Sequence, residues 1–143
     1  MELELLTGSH TKCKAKSTLN KSAEFACKNM FDGTLDTCWN SDQGSPQHLI
    51  IAFERPVSVG QLAIVFQGGF CGQDGIVELG NSLDSLASIG NLDVIEDSND
   101  LQRFEISQPE TSGVYLKITF LRSTDFYGRI TIYNLMVYGR VLV

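Results

Sequence analysis

Alternation of apolar and polar residues is the feature that most limits what this chain can fold into. The pattern is clearest at Leu49–Phe53, Leu62–Phe66, Val114–Phe120 and Ile130–Ile132. Successive side chains of a β-strand point to opposite faces of a sheet, so a period of two residues predicts strands with one buried face. Helical periodicity is nearly absent from the sequence. We therefore predict an all-β protein.

Weaker patterns predict further strands and two short helical turns. The strand candidates are Thr11–Lys16, Ile76–Leu79, a stretch near Leu92–Ile95, and Gln102–Ile106. In the first of them Cys13 and Ala15 face inward. The turns are expected at Ala26–Phe31 and Ser82–Ile89. In the last strand the apolar set passes from Ile130 and Ile132 to Leu135 and Val137, which changes its parity. That change needs an extra residue, so we predict a β-bulge near Tyr133-Asn134. About eight short strands joined by irregular loops favour a β-sandwich or jelly roll.

Length and charge exclude several classes of function. The chain has 143 residues, which predicts one domain, and 43% hydrophobic residues are enough for a core. The 11 Lys and Arg residues against 17 Asp and Glu residues leave a formal net charge of −6, which argues against a nucleic-acid partner. The apolar runs fall far short of the roughly 20 residues that span a bilayer, so we expect no stable membrane insertion.

The amino terminus and the cysteines favour an intracellular protein. Met1–Leu6 is acidic, whereas a secretory signal needs a basic start and a longer apolar stretch. The cysteines are Cys13, Cys27, Cys38 and Cys71. Because they form no C-x-x-C pair, the sequence suggests neither a zinc site nor a thioredoxin-type motif, and we predict reduced, mostly buried thiols.

The segment Gln67–Gly75 is a glycine-rich loop with Phe70 at its tip. Phosphate binding by such a loop needs a helix that starts directly after the glycines, but Ile76–Leu79 is a strand candidate. Phe70 is therefore expected either to dock into a partner or to cover one end of the core. Its glycine-flanked loop offers little core to fill, which favours the first alternative.

A second loop, Ser123–Arg129, combines an acid, two aromatic residues and an arginine, a composition typical of interface anchors. An internal brace between Asp125 and Arg129 is the alternative.

Trp39, the only tryptophan, is either a sugar-stacking platform or a core plug with a satisfied indole N–H. His10 and His48 each stand alone in strand-like context, which argues against metal binding or acid–base catalysis. Nothing marks an activated nucleophile, so we predict that the protein is not an enzyme.

Two motifs carry a family resemblance. Asp32–Asp42 has the spacing D-G-x-x-x-T-x-W-x-S, which resembles the discoidin, or coagulation-factor type C, domains of the galactose-binding-like superfamily. Gly128–Gly139 is similar to the last core strand of that family. The resemblance covers a core of about residues 9–140 within one discoidin-like domain, 1–143. It implies an eight-stranded jelly-roll β-sandwich without catalysis, in which short loops at one end bind a partner.

The resemblance also bears on calcium. Many relatives hold calcium beside the D-G turn, where Asp32 and Thr37 of this chain match the pattern. Thr34 and Asn134 stand at positions that are often acidic in the family, so the resemblance implies weakened binding by hard oxygen ligands. We predict no cofactor and no metal residue, with calcium near Asp32 and Thr37 as the alternative.

Shorter pieces narrow the resemblance. Thr37–Gly44, Phe66–Phe70 and Thr124–Arg129 are similar to small single-domain proteins associated with an orphan nuclear receptor of the testicular-receptor type, whereas Trp39–Asp42 with Pro46–His48 also resembles the Doc-type domain of a ubiquitin ligase. The first likeness implies a protein partner, an orphan nuclear receptor, and a regulator of nuclear-receptor-dependent transcription in the nucleus or the cytoplasm. A carbohydrate- or lipid-binding module and a Doc-like adaptor are the alternatives.

If the sheets pack as in discoidin domains, the two loops meet at one end of the sandwich, with Trp39–Asp42 beneath or beside them. The predicted partner-binding residues are Gln67, Gly68, Gly69, Phe70, Asp125, Phe126, Tyr127, Arg129, Asn40 and Asp42. No catalytic residue is predicted.

Overall fold

The computed structural model describes residues 2–142, so Met1 and Val143, the ends of the predicted domain, lie outside the described part. Residues 2–142 form nine strands: β1 (Glu4–Leu5), β2 (Lys12–Ala15), β3 (Trp39–Asn40), β4 (Gln47–Phe66), β5 (Gly72–Gly80), β6 (Ala87–Leu92), β7 (Leu101–Glu105), β8 (Ser112–Ser123) and β9 (Thr131–Val141). Short 3₁₀ turns cover Leu19–Lys21, Ala23–Phe25 and Cys27–Phe31. The all-β prediction is confirmed, with nine strands in this part of the chain where eight were expected.

The 20-residue strand β4 belongs to both layers of the sandwich. Its first part, Gln47–Ala52, pairs with β2 on one side and with β8 on the other. Its second part, Val57–Phe66, pairs with β7 and β9. The register with β8 shifts between Ala52 and Val57, and the exposed Pro56, which lacks a backbone N–H, lies in that irregular stretch. Two strands that the alternation predicts separately are therefore halves of one.

The two layers extend outward from β4 in opposite directions. One layer continues from β8 to β5 and then to β6. In the other layer, β9 carries the short strands β1 and β3 along its far edge. All the strand pairs are antiparallel, which leaves each strand with one face toward the core.

The inward faces of both layers meet in one apolar cluster. The largest fully buried side chains are Trp39, Phe66, Phe120, Met30, Leu49, Ile51, Leu62, Ile64, Leu79, Ile89, Leu92 and Leu116. The rings of Phe66 and Phe120 pack edge to face across the layers with centroids 5.7 Å apart. The indole N–H of Trp39 donates to the carbonyl oxygen of Ser17 at 3.0 Å, so Trp39 is a core plug and not a stacking platform.

The predicted bulge in β9 is present. Val65 pairs with Asn134 and Phe66 pairs with Ile132, so Tyr133 is the extra residue in β9. This residue changes the parity, and both Ile132 and Leu135 are buried as a result.

The predictions between β5 and β7 are wrong. Ser82–Ile89 was expected to be helical and Leu92–Ile95 to be a strand, but the strand β6 occupies Ala87–Leu92 and pairs with β5. A register shift opposite Val77 and Glu78 places Ile89 and Gly90 next to each other on the buried side. The bulge interrupts the alternation, and for that reason the sequence does not show this strand.

A substitution at Gly139 tests the β4–β9 pairing. A Cβ atom there would overlap the carbonyl oxygen of Ser58 on the neighbouring strand, so Gly139→Ala is expected to lower the free energy of unfolding by about 2 kcal/mol. Gly90→Ala is the matched control, because its Cβ would come no closer than 3.4 Å to Ser107, and it should change stability by less than about 1 kcal/mol. Urea denaturation measures both, and equal stabilities of the two variants would contradict the described pairing.

Candidate functional site

The two loops that the sequence singled out lie side by side at one end of the sandwich. The backbone N–H of Thr131 donates to the carbonyl oxygen of Phe70 at 3.0 Å, and that of Thr124 donates to the carbonyl oxygen of Cys71 at 2.9 Å. The guanidinium carbon of Arg129 lies 5.3 Å from the centroid of the Phe70 ring, within the range of a cation–π contact. Phe70 and Arg129, which are distant in sequence, are therefore neighbours.

An ion pair within the second loop holds Arg129 in place. Its Nε donates to Oδ2 of Asp125 at 2.9 Å, and its Nη2 donates to Oδ1 of the same carboxylate at 3.2 Å. These hydrogen bonds from Arg129 hold the pKa of Asp125 below its ordinary value, and they raise the pKa of Arg129. The Asp125 side chain is only 11% exposed. Asp125 therefore braces the arginine, as the second interpretation of the loop sequence predicted. Arg129 itself remains partly open to solvent.

Two aromatic side chains project from the same loop. Phe126 is 93% exposed and Tyr127 is 56% exposed, and their rings meet edge to face with centroids 5.2 Å apart. The guanidinium carbon of Arg129 lies 5.6 Å from the Tyr127 ring, so the arginine stands between Tyr127 and the half-buried Phe70. We call Phe70, Phe126, Tyr127 and Arg129 the aromatic–arginine cluster.

A small pocket opens beside this cluster. It has a volume of about 190 Å³ and is lined by Leu19, Asn40, Ser41, Gln67, Phe70, Arg129 and Thr131. The side-chain oxygen of Asn40 accepts from the Thr131 hydroxyl, and that of Gln67 accepts from the Tyr133 hydroxyl at 3.3 Å. These bonds turn both amides so that N–H donors remain for a ligand, next to the guanidinium of Arg129. The pocket wall therefore offers donors to an oxygen-rich group and one aromatic face.

Two further depressions flank the molecule. A shallow one of about 420 Å³ lies on the other side of the second loop and includes Phe126 and Tyr127 in its wall. Another, of about 230 Å³, lies at β1 and includes Phe53 and Arg55 in its wall. None of the predicted partner-binding residues lines this last one, so the sequence gives no reason to place the site there.

The remaining predicted residues hold backbone in place and do not face the pocket. The N–H groups of Gly68 and Gly69 donate to the side chains of Asn99 at 2.6 Å and Asp97 at 2.7 Å. Asp42 accepts from the backbone N–H of Asn20 at 3.4 Å. Sequence reasoning missed Asp97 and Asn99, which clamp the glycine loop, because the contact joins segments about 30 residues apart and leaves no local pattern.

In the D-G turn, hydrogen bonds from within the chain already occupy the carboxylate of Asp32, the residue that matches the calcium pattern. Oδ1 of Asp32 accepts from the backbone N–H of Thr34 at 3.0 Å, and Oδ2 accepts from the Thr37 hydroxyl. The hydroxyl of Thr37, followed by the N–H of Thr34, lowers the pKa of Asp32. In residues 2–142 no three His, Cys, Asp or Glu side chains are grouped to hold a metal ion. Hard cations need several oxygen ligands, and this single carboxylate already accepts protein donors.

Comparison with solved structures identifies the fold class. The family 32 carbohydrate-binding module of Clostridium perfringens NanJ, solved in complex with galactose, matches with a TM-score of 0.80 at 17% identity, over 96% of this chain and 99% of that module. The C-terminal domain of a chitobiase from Bacteroides fragilis matches with a TM-score of 0.81 at 16% identity, over 98% of this chain and 100% of that domain. The expected discoidin-type, galactose-binding-like jelly roll is confirmed.

Curated relatives identify the family. Nuclear receptor 2C2-associated protein of Xenopus laevis is 42% identical over 130 residues, which cover 90% of this chain and 93% of the relative. The human protein of that name is 41% identical over 90% of this chain and 91% of its own length, and the Danio rerio protein is 41% identical over 95% and 96%. No protein-family model matches the chain. The chain belongs to the family of nuclear receptor 2C2-associated proteins, which confirms the narrower resemblance.

The sequence predicts no stable membrane insertion. Among residues 2–142, the helical segments are too short and too polar for any of them to cross a membrane.

The Asp125–Arg129 pair predicts a specific titration. Replacing Arg129 by Met should raise the pKa of Asp125 toward its ordinary value, because the guanidinium hydrogen bonds are the main cause of its depression. Since the folded-state pKa lies below the unfolded one, the pair stabilises the fold above about pH 4, and this contribution is lost as pH falls through the folded-state pKa. Carboxyl-carbon NMR measures the titration. Asp32 is the internal control, since its depressed pKa depends on Thr37 and should not change.

Chelation tests the D-G turn. Because the single carboxylate already accepts three hydrogen bonds, excess chelator is expected to shift the melting temperature by less than about 2 °C. A calcium site occupied at 100 times its dissociation constant would contribute roughly 2.7 kcal/mol, and its loss would lower the melting temperature by several degrees. Thermal unfolding with excess calcium and with chelator decides between the two, and a large difference would restore calcium to the turn.

Proposed function

We propose that this chain is a non-catalytic, intracellular protein-interaction module that acts in the nucleus or the cytoplasm and regulates nuclear-receptor-dependent transcription. Its partner in this proposal is nuclear receptor 2C2, the receptor in the name of the vertebrate relatives. The observation that carries the proposal is the aromatic–arginine cluster, in which a 93%-exposed phenylalanine packs against Tyr127, and Tyr127 in turn contacts the braced arginine. The surface that binds the partner is the end of the sandwich formed by the loops Gln67–Gly75 and Ser123–Arg129.

The physical argument concerns exposed apolar area. A phenylalanine ring left in water gains free energy when a partner covers it, whereas a ring in the core has already gained it. Phe126 contacts Tyr127 and is otherwise open, so the fold does not use most of its surface. Aromatic residues and arginine dominate the binding energy of protein interfaces, with roughly 2 kcal/mol or more for each strong anchor.

Preorganisation supports the same surface. The loop is fixed internally, because the Ser123 hydroxyl donates to the carbonyl oxygen of Arg129 at 2.6 Å and accepts from the N–H of Asp125 at 3.0 Å. Arg129 also keeps a single orientation through its two bonds to Asp125. Side chains that are already ordered lose little conformational entropy when a partner binds, so more of the contact energy appears as affinity.

Carbohydrate binding is the second candidate, and the small pocket is the observation that favours it. Its amide donors, its guanidinium and the Phe70 ring suit a sugar, which presents hydroxyl oxygens on its edge and an apolar face. Several solved neighbours are carbohydrate-binding modules, one of them in complex with galactose. The Doc-like adaptor stays a prediction from the sequence.

Alanine variants test the protein-binding surface. Phe126→Ala and Tyr127→Ala are expected to weaken binding to purified nuclear receptor 2C2 by ten-fold or more, because each removes an exposed anchor. Their melting temperatures should stay within about 2 °C of the parent, since neither ring is part of the core. Leu83→Ala is the matched control: Leu83 is 50% exposed in the loop between β5 and β6, away from this end, and its removal should leave binding unchanged.

The outcomes separate the candidates. Unchanged receptor binding in both aromatic variants would contradict the proposed surface. A glycan array in which binding is lost in Asn40→Ala and Gln67→Ala, with no receptor binding by the parent chain, would assign the pocket to carbohydrate instead.

A further inference from the structure

Two of the four cysteines touch, although they lie 14 positions apart in the sequence. Cys13 is in β2, and Cys27 is the first residue of the Cys27–Phe31 turn. The thiol of Cys13 donates to Sγ of Cys27, with the sulfur atoms 2.7 Å apart. Both are free thiols in the structure, so the packing of β2 against the turn brings two oxidisable sulfurs together without joining them.

The two thiols of this pair are not equivalent. The hydrogen bond from Cys13 lowers the pKa of Cys27 against the opposing effect of burial, and backbone N–H groups of Cys27, Ala15 and Lys28 add to the lowering. The same hydrogen bond, together with burial, raises the pKa of Cys13. Because a thiolate and not a thiol is the nucleophile, Cys27 is the sulfur that reacts first and Cys13 is the one that follows.

The other two cysteines have surroundings that suppress such reactivity. Burial raises the pKa of Cys71 to about 11, and its side chain is fully enclosed. Burial, followed by the charge of Glu24, raises the pKa of Cys38. Neither makes a hydrogen bond to another sulfur among residues 2–142.

We propose that Cys13 and Cys27 are an oxidative modification site that forms a reversible disulfide when the protein meets a hydroperoxide. The Cys27 thiolate attacks the O–O bond of hydrogen peroxide, becomes a sulfenic acid and releases hydroxide. Cys13 then attacks the Cys27 sulfur and loses its proton, and the sulfenic hydroxyl leaves as water. Two thiols lose two electrons and two protons, and the peroxide is reduced to two molecules of water.

The geometry permits this bond with little rearrangement. A disulfide is about 2.05 Å long, so the sulfurs need to approach by less than about 1 Å. Cys27 is 9% exposed and the adjoining Cys13 is half-buried, so the side of β2 is the route by which a small oxidant and a thiol reductant reach the pair. The bond closes the segment between the two cysteines, from which Leu19 reaches the loop-end pocket. The proposal does not depend on the proposed function, because it concerns the thiols alone.

Mass spectrometry of the full chain tests the proposal. The reduced protein, transferred to buffer without reductant and given a small excess of hydrogen peroxide, is expected to lose about 2 Da and to regain it with dithiothreitol. Trypsin should then release Ser22–Lys28 joined to Cys13–Lys14. Cys38→Ser and Cys71→Ser are the matched controls and should keep the 2 Da loss. Cys13→Ser should abolish it and leave a sulfenic acid on Cys27 that dimedone traps.

Three outcomes would overturn the proposal. One is the absence of the 2 Da loss at an oxidant dose that already converts methionine to its sulfoxide. Another is a linked peptide that contains Cys38 or Cys71, and the third is a 2 Da loss that survives in Cys13→Ser. If that variant does not fold, the peptide map of the parent chain decides, because the identity of the linked peptides does not require a variant.

Discussion

The fold depends on one strand that hydrogen-bonds in both layers. β4 pairs with β8 in its first part and with β9 in its second, so the distance and the orientation of the two layers are fixed by its path. The end of β4 leads directly into the glycine loop, where the N–H of Gln67 donates to the carbonyl oxygen of Thr131 on β9 at 3.0 Å. The strand that organises the core therefore also places the loop Gln67–Gly75 against the loop Ser123–Arg129.

The Asp125–Arg129 pair decides what the loop end presents. The Asp125 side chain is 11% exposed and accepts two hydrogen bonds from the guanidinium, so its charge is paired within the loop. The arginine keeps its outer face open, between the rings of Phe70 and Tyr127. The arginine side of this ion pair is open to solvent, which weakens its contribution to stability, so its more important effect is orientation. The composition of the loop fits both interpretations of the sequence, an internal brace and an interface anchor. The structure shows that Asp125 braces Arg129 and that Phe126 and Tyr127 project into solvent.

The sequence predicts the parts of this molecule that follow from short-range pattern. Alternation identifies both halves of β4, the strand β8 and the bulge at Tyr133, because each depends on which face of a strand is buried. The strand β6 escapes prediction because a register shift places Ile89 and Gly90 together on the buried side.

The candidate site can also be predicted only where it depends on short-range pattern. Phe70 and Arg129 come from loops next to strong strands, so a family resemblance is enough to bring them together. Leu19 in the pocket wall, Asp97 against Gly69 and Cys13 against Cys27 are contacts between irregular segments, which no local period encodes. Phe70 was expected to project from its loop, yet it is half-buried, and Phe126 is the residue that stands out.

The pairing of Asn40 with Thr131 builds one part of the pocket wall, and side-chain hydrogen bonds hold the irregular segment that supplies another part. The hydroxyl of Ser17 donates to Oε1 of Gln47 at 2.7 Å and accepts from the N–H of Asp42 at 3.0 Å, while its carbonyl oxygen holds the indole of Trp39. These contacts place the segment that carries Leu19, and a substitution can alter them without changing a strand register. A family 32 carbohydrate-binding module with 17% identity and a chitobiase C-terminal domain with 16% identity share the framework with this chain, at TM-scores of 0.80 and 0.81. Loops on a common scaffold carry the specificity, so the galactose in one of those structures does not fix the ligand of this chain.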